Sequence, residues 1–296
     1  MSHTLLTALS WAAALSYLAA LGLLWQYTTN ANKHTASRRS GIIVLSIIGL
    51  ILHIVQLYAG VINNQAFDAS QHNHFQFSLG HSISLVAVFV TFIFILLSMV
   101  RATLNLGLAI LPTTILGLIA GLWLNPGTNP SMPNVSLKGA NISAVGFEWH
   151  LALGIITFSL LTLAFAQSLL ILVQEKQLRN HRTLQAPIKS VSFISLPALQ
   201  SMETLLFQIL WLGFAVLSLT LIFGIYTNAQ HTGSALIFNH HIVLTLATWL
   251  GYAILLIGRH FWGWRGRQAS IYTIICYSLF LLGYFGPRIV RELIIT

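Results

Sequence analysis

The chain has 296 residues, of which 56% are hydrophobic and only 6% charged, and its 14 Lys and Arg outnumber its 5 Asp and Glu. A soluble domain is about one quarter charged, so this composition excludes a water-soluble globular protein and makes a bilayer the solvent for most side chains. The basic balance does not point to nucleic acid, which needs cations clustered on one folded face; here they lie in short connectors between apolar runs.

A membrane-spanning helix needs about 20 mainly apolar residues. Eight runs meet this within a few residues at each end, over 5–27, 41–62, 78–100, 104–124, 150–174, 204–226, 241–260 and 269–288. They are too long and continuous for barrel strands, and helices satisfy their own backbone in hydrocarbon. The first run has only His3 before it and its cations after it. It reads as a retained helix with its N-terminus outside rather than as a cleaved leader. The second run holds His53, about 18 Å from its cation-flanked end at 1.5 Å per residue. His81 lies one turn into the third run, His150 opens the fifth, and His240 and His241 open the seventh. The last run contains Cys276, the chain's one cysteine, which excludes an intrachain disulfide and a C-x-x-C redox or haem-attachment motif.

The connectors set the orientation. The 28–40, 101–103, 175–203 and 259–268 connectors carry eleven Lys and Arg, whereas the alternate connectors and the C-terminus carry Lys138, Arg288 and Arg291. The positive-inside rule places the first set in the cytoplasm. The expectation is an all-α, polytopic bundle of about eight transmembrane helices, a single integral domain over 1–296, with both termini outside. In a bacterium this is a multi-pass protein of the inner membrane.

Twelve histidines are the chemically informative feature. A polar ring within a membrane is costly without a partner, and neutral imidazole is a good ligand for haem iron. For His81, His150 and His241 two readings stand, an axial ligand or a ring wetted at the headgroup level. His53 is deeper, and is either a ligand or a hydrogen-bonded core residue. His72 and His74 read as solvated loop residues, and His240 as the outward member of its doublet. Phe75, Phe147, Trp149 and Phe238 are close enough in sequence to wall a haem. Glu203, ahead of the sixth run, suits the positive end of that helix. The 261–267 run, Phe-Trp-Gly-Trp-Arg-Gly-Arg, reads as an interfacial anchor. Paired carboxylates, a phosphate-binding glycine loop, H-E-x-x-H and G-x-S-x-G are all absent, so no enzyme is expected. The apolar runs also hold no carboxylate of the kind a proton-driven transporter uses.

Three blocks carry a family likeness: 150–178, ending Gln-Glu-Lys-Gln-Leu; 196–207, Leu-Pro-Ala-Leu-Gln-Ser-Met-Glu-Thr-Leu-Leu-Phe; and 258–292, with Gly-Arg, Gly-Trp-Arg-Gly-Arg, Gly-Tyr-Phe-Gly and Arg-Glu. In this order they resemble the cytochrome c assembly transmembrane family, and most of all its YpjD branch, with the strongest likeness over 150–292. The resemblance implies haem handling at the outer membrane face in cytochrome maturation. By position, His81, His150 and His241 are its outer-face candidates for the haem iron, and His53 its candidate within the bundle. The partners it implies are the lipid bilayer and cytochrome c maturation proteins. The chain departs from haem-delivering members in lacking their tryptophan-rich outer loop, W-G-x-x-W-x-W-D; its 125–149 segment offers Phe147-Glu148-Trp149 instead. The alternative expectation is a cofactor-free scaffold or accessory subunit of another membrane complex. It would dock through the 175–203 loop, with Glu175, Lys176, Arg179 and Arg182.

Overall fold

A computed structural model describes residues 3–29, 36–67, 79–100, 103–124, 145–184, 196–232 and 240–294. All of the regular structure among them is helical: α1 (His3–Thr29), α2 (Ala36–Phe67), α3 (Leu79–Val100), α4 (Gly107–Trp123), α5 (Val145–Leu184), α6 (Leu199–Thr232), α7 (His240–Phe261) and α8 (Gly266–Ile294), with a single 3₁₀ turn, Leu104–Leu106, leading into α4. Among the described residues seven helices, α1 to α7, are long and apolar enough to cross a membrane. The eighth expected run is the helix α8, 29 residues long.

The helices outrun the apolar runs that mark them. At 1.5 Å per residue the 40 residues of α5 extend about 60 Å, twice the roughly 30 Å hydrocarbon core. Its C-terminal end continues through Glu175, Lys176, Gln177, Leu178 and Arg179, residues of good intrinsic helix propensity that need no apolar surroundings. Pro112 lies within α4; a proline is tolerated in a membrane helix where neighbouring groups take up the freed carbonyl.

The chain forms two compact units, α1–α4 and α5–α8. In the first, α1 packs on α2 and α4, and α3 on α2 and α4. In the second, α5 packs on α6 and α8, and α7 on α6 and α8. Each unit therefore has the same cyclic order of neighbours.

Unlike a soluble bundle, this one exposes large apolar side chains as well as burying them. On α1, Trp11, Leu15, Leu18 and Trp25 are exposed, whereas Ser10 and Thr28 are buried. This is the arrangement a lipid solvent favours, since tails are as apolar as leucine and gain nothing from apolar burial. Buried hydroxyls mostly return to their own helix. Ser10 donates to the Leu6 carbonyl, Ser46 to Ile42, Thr248 to Leu244 and Thr273 to Ala269, all at 2.8–2.9 Å.

Small residues set the closest helix approaches. In the first unit Gly117 and Gly121 of α4 form a G-x-x-x-G pair facing α3. A Cβ on Gly117 would lie 2.8 Å from the Ala87 Cβ, and one on Gly121 would lie 3.0 Å from the Ser84 Cβ and 3.2 Å from the Gly80 carbonyl oxygen. One turn further in, the Thr91 and Thr114 hydroxyls bond across the same seam at 2.7 Å. Such seams let dispersion and interhelical hydrogen bonds replace the missing hydrophobic drive. At the opposite end Arg39 donates from Nη2 to the Ser98 carbonyl at 3.0 Å, a cation on the C-terminal turn of α3. In the second unit Thr162 and Tyr277 join α5 to α8 through hydroxyls 2.7 Å apart. Trp249 of α7 donates from Nε1 to the Ser218 hydroxyl of α6 at 2.9 Å.

Candidate functional site

The small-residue seam determines the surroundings of His53. Gly121 lets α4 close on Ser84, and the Ser84 hydroxyl sits 2.8 Å from His53 Nε2 on α2. His53 is fully buried, and Tyr17 of α1 meets its ring edge-on with centroids 6.2 Å apart. Tyr17 is itself pressed against α2 at Gly49, where a Cβ would lie 2.7 Å from the ring. His53 Nδ1 is buried without a hydrogen-bond partner among the described residues. The His53 ring is thus a core residue held by one hydroxyl, with its second nitrogen left over.

His81, in the first turn of α3, is also buried. Its Nε2 lies over Gly60, where an added Cβ would be 3.6 Å away. His53 faces Ser84 and His81 faces Gly60 along one α2–α3 seam. Ser84 is three residues inward of His81, and His53 seven inward of Gly60, so the rings differ in depth by about 5–10 Å. They are stacked along the seam rather than level.

In the second unit His150 packs on α6. Its Nδ1 lies 3.0 Å from the Thr220 carbonyl oxygen. A carbonyl only accepts, so the ring donates from Nδ1, and the neutral imidazole keeps its lone pair on Nε2. Metal-binding histidines hold this orientation: one ring nitrogen donates to a protein acceptor while the other faces the ligand position. Gly224 makes the approach possible, because a Cβ there would lie 2.9 Å from His150 Cε1 and 3.1 Å from Nδ1. The Thr220 hydroxyl, 3.0 Å from that of Thr157, pins α5 to α6 one layer further in. Helix α5 begins at Val145, so His150 is its sixth residue rather than its first.

His241 lies in the first turn of α7, and its side chain, like that of His240, is outside the described residues. His72, His74, Phe75 and Phe238 lie outside them too, as does the Phe147 side chain. Trp149 is 58% exposed. Among the described residues no three His, Cys, Asp or Glu side chains gather as a metal cluster. The four candidate histidines divide two to each unit. Composition alone did not reveal the partners Ser84, Tyr17, Thr220 and Gly224. The visible signal was the small-residue spacing Gly80, Ser84, Ala87 against Gly117, Gly121.

The family description "Cytochrome C assembly protein" matches residues 70–295. The chain belongs to the cytochrome c assembly protein family. The match begins after α2 and runs past the end of α8, so it takes in α3 to α8, helices of both units, and leaves His53 outside it. Among individual proteins, the chain is similar to "Inner membrane protein YpjD" of Escherichia coli strain K12, with 27% identity over 253 residues, 85% of this chain and 87% of that one. The same protein from Escherichia coli O157:H7 matches equally. An "Uncharacterized 28.8 kDa protein in nifR3-like 5'region" of Azospirillum brasilense is 30% identical over 151 residues, covering 51% of this chain and 54% of its own length.

Proposed function

We propose that this protein is a non-enzymatic, multi-pass inner-membrane protein that binds haem near the outer membrane face in cytochrome maturation. Its family is associated with haem handling, and a relative across most of its length is an inner membrane protein. The observation that carries the reading is His150, whose Nδ1 is committed to the Thr220 carbonyl and whose Nε2 keeps a free lone pair. His150 fits an axial ligand as it stands, and His241 shares the outer end of the same unit. His81 is the outer candidate of the first unit. His53 contributes differently, since Ser84 occupies its Nε2 and only the unpartnered Nδ1 remains. When bound, the haem would supply the iron and the redox chemistry; the chain supplies neutral nitrogen donors, a fixed tautomer and apolar surroundings.

Protein purified in detergent from haem-replete cells should show a Soret band. Replacing His53, His81, His150 and His241 together with alanine should abolish it, and replacing His150 alone should shift or weaken it. A colourless wild-type preparation would defeat the proposal.

The inner end of α5 favours a second reading, in which the protein is a cofactor-free scaffold. The helix carries Lys176 and Arg179 well beyond the thickness of a bilayer core. Crosslinking from this projection to a membrane complex, with c-type cytochromes unchanged in a deletion strain, would select this reading.

A further inference from the structure

All three sequence blocks that carry the family likeness meet at one end of the second unit, the end opposite His150. Gln174 of α5 donates from Nε2 to the Pro197 carbonyl at 2.7 Å. The α7–α8 connection folds back on itself. The Trp262 and Trp264 amides both donate to the Gly258 carbonyl, at 3.0 and 3.2 Å. Gly263 turns the chain at φ 64°, a conformation that glycine adopts without strain. Trp264 lies flat on Gly258, where a Cβ would be 2.5 Å away, and stacks on Tyr272 at 4.6 Å and 6°.

This turn sets the surroundings of Arg259. Its guanidinium lies over the Phe207 ring of α6, 4.2 Å from the centroid. Its Nη1 is buried and has no hydrogen-bond partner among the described residues. Glu203, an acidic residue of the same blocks, is engaged elsewhere. Glu203 is the fifth residue of α6, not its first turn as the sequence suggested, because α6 starts at Leu199. Its carboxylate lies instead at the start of α8, where a Cβ on Gly266 would be 3.2 Å from Oε1, at the positive end of that helix. Arg259 is thus a cation with a dry, unsatisfied nitrogen in the last turn of α7. A charge in such a place needs a counter-ion and an acceptor. Beside it Phe261 and Trp262 are 74% and 67% exposed, and Arg265 and Arg267 are exposed as well.

We infer that Arg259, with the Phe261–Arg267 turn, forms a binding site for the phosphate of an anionic lipid headgroup of the inner leaflet. Arg259, half-buried over Phe207, supplies the central cation, Arg265 and Arg267 the surrounding positive field, and Phe261 and Trp262 the apolar contact at headgroup level. Phosphatidylglycerol is the chemistry this combination suits. The site does not depend on haem binding and lies at the opposite end of its unit from His150.

The test is native mass spectrometry of the full-length protein in mild detergent, titrated with phosphatidylglycerol or phosphatidylcholine. Wild type should retain phosphatidylglycerol about fivefold more tightly or better, the size of one arginine contact at a membrane surface. Arg259→Gln should remove that preference, whereas Arg38→Gln, which replaces a half-exposed cation of the first unit bonded to Gln26, should keep it. If Arg259→Gln does not fold, Phe207→Leu, which removes only the ring face beneath the guanidinium, should reduce the preference. An unaltered preference in a folded variant at either position overturns the site. Abolition of the preference by millimolar inorganic phosphate overturns the lipid as its occupant.

Discussion

Replacing Gly49 by alanine should destabilise the protein, although alanine is the better helix former. Propensity alone favours the substitution by about 1 kcal/mol. Against this, the new Cβ would lie 2.7 Å from Tyr17 Cε1, 2.8 Å from Cδ1 and 3.1 Å from Cζ. Carbon atoms attract at about 3.5 Å or more, so the ring must retreat by about 0.8 Å. Tyr17 is fully buried and meets His53 edge-on, so it has nowhere to go without disturbing the core. Overpacking of this kind costs about 1–3 kcal/mol, which leaves a net loss of about 0–2 kcal/mol after the propensity gain. Gly22 is the control. It lies on α1 with nothing within 4 Å of its would-be Cβ, so Gly22→Ala should stabilise by up to about 1 kcal/mol. Denaturant titration in detergent compares the two directly. Adding Tyr17→Ala should reverse the sign for Gly49→Ala, because the clashing ring is gone, giving a coupling of about 1–3 kcal/mol. If Gly49→Ala stabilises as much as Gly22→Ala does, the close packing of Tyr17 on α2 is wrong.

The Thr162–Tyr277 pair should respond asymmetrically. Tyr277→Phe leaves Thr162 bonded to the Phe158 carbonyl and should cost about 0.6 kcal/mol, the average for a hydrogen bond inside a membrane protein. Thr162→Val strands the Tyr277 hydroxyl in an apolar core and should cost more, about 1–3 kcal/mol; thermal unfolding of the two variants ranks them. At Gly263, with φ 64° and open space around it, only the backbone should matter. Gly263→Val should lower stability by about 1–2 kcal/mol and Gly263→Asn by distinctly less, and equal melting temperatures would contradict the left-handed turn.

The location of the helices was legible because a run of apolar residues measures hydrocarbon thickness. The ends were not, because a helix stops where its backbone does and not where lipid does. Thus the α5 run closes at 174, where charge begins, yet the helix continues to Leu184. The same error placed Glu203 at the start of α6, while the chain turns helical at Leu199 just after Pro197 and leaves that carboxylate to α8. Depth along a helix follows from counting residues, which is why His53 reads as a ring well inside its run. Its rotation about the helix axis does not follow from counting, and rotation decides whether Nε2 meets Ser84 or an open face. His150 shows the same limit, since its tautomer depends on a carbonyl 70 residues away.

The hydroxyl groups divide into two kinds. Those of Ser10, Ser46, Thr248 and Thr273 spend their hydrogen bond on the preceding turn and are silent about which strand of the bundle lies alongside. Thr91, Thr162 and Ser218 bond the preceding turn as well, but through Thr114, Tyr277 and Trp249 they also read out a particular neighbour. In oily surroundings, where greasy surfaces adhere to lipid and protein alike, these few directional bridges act as the address labels of assembly. Replacing the self-bonded hydroxyls by alanine should therefore alter local packing without confusing the order in which the helices find one another.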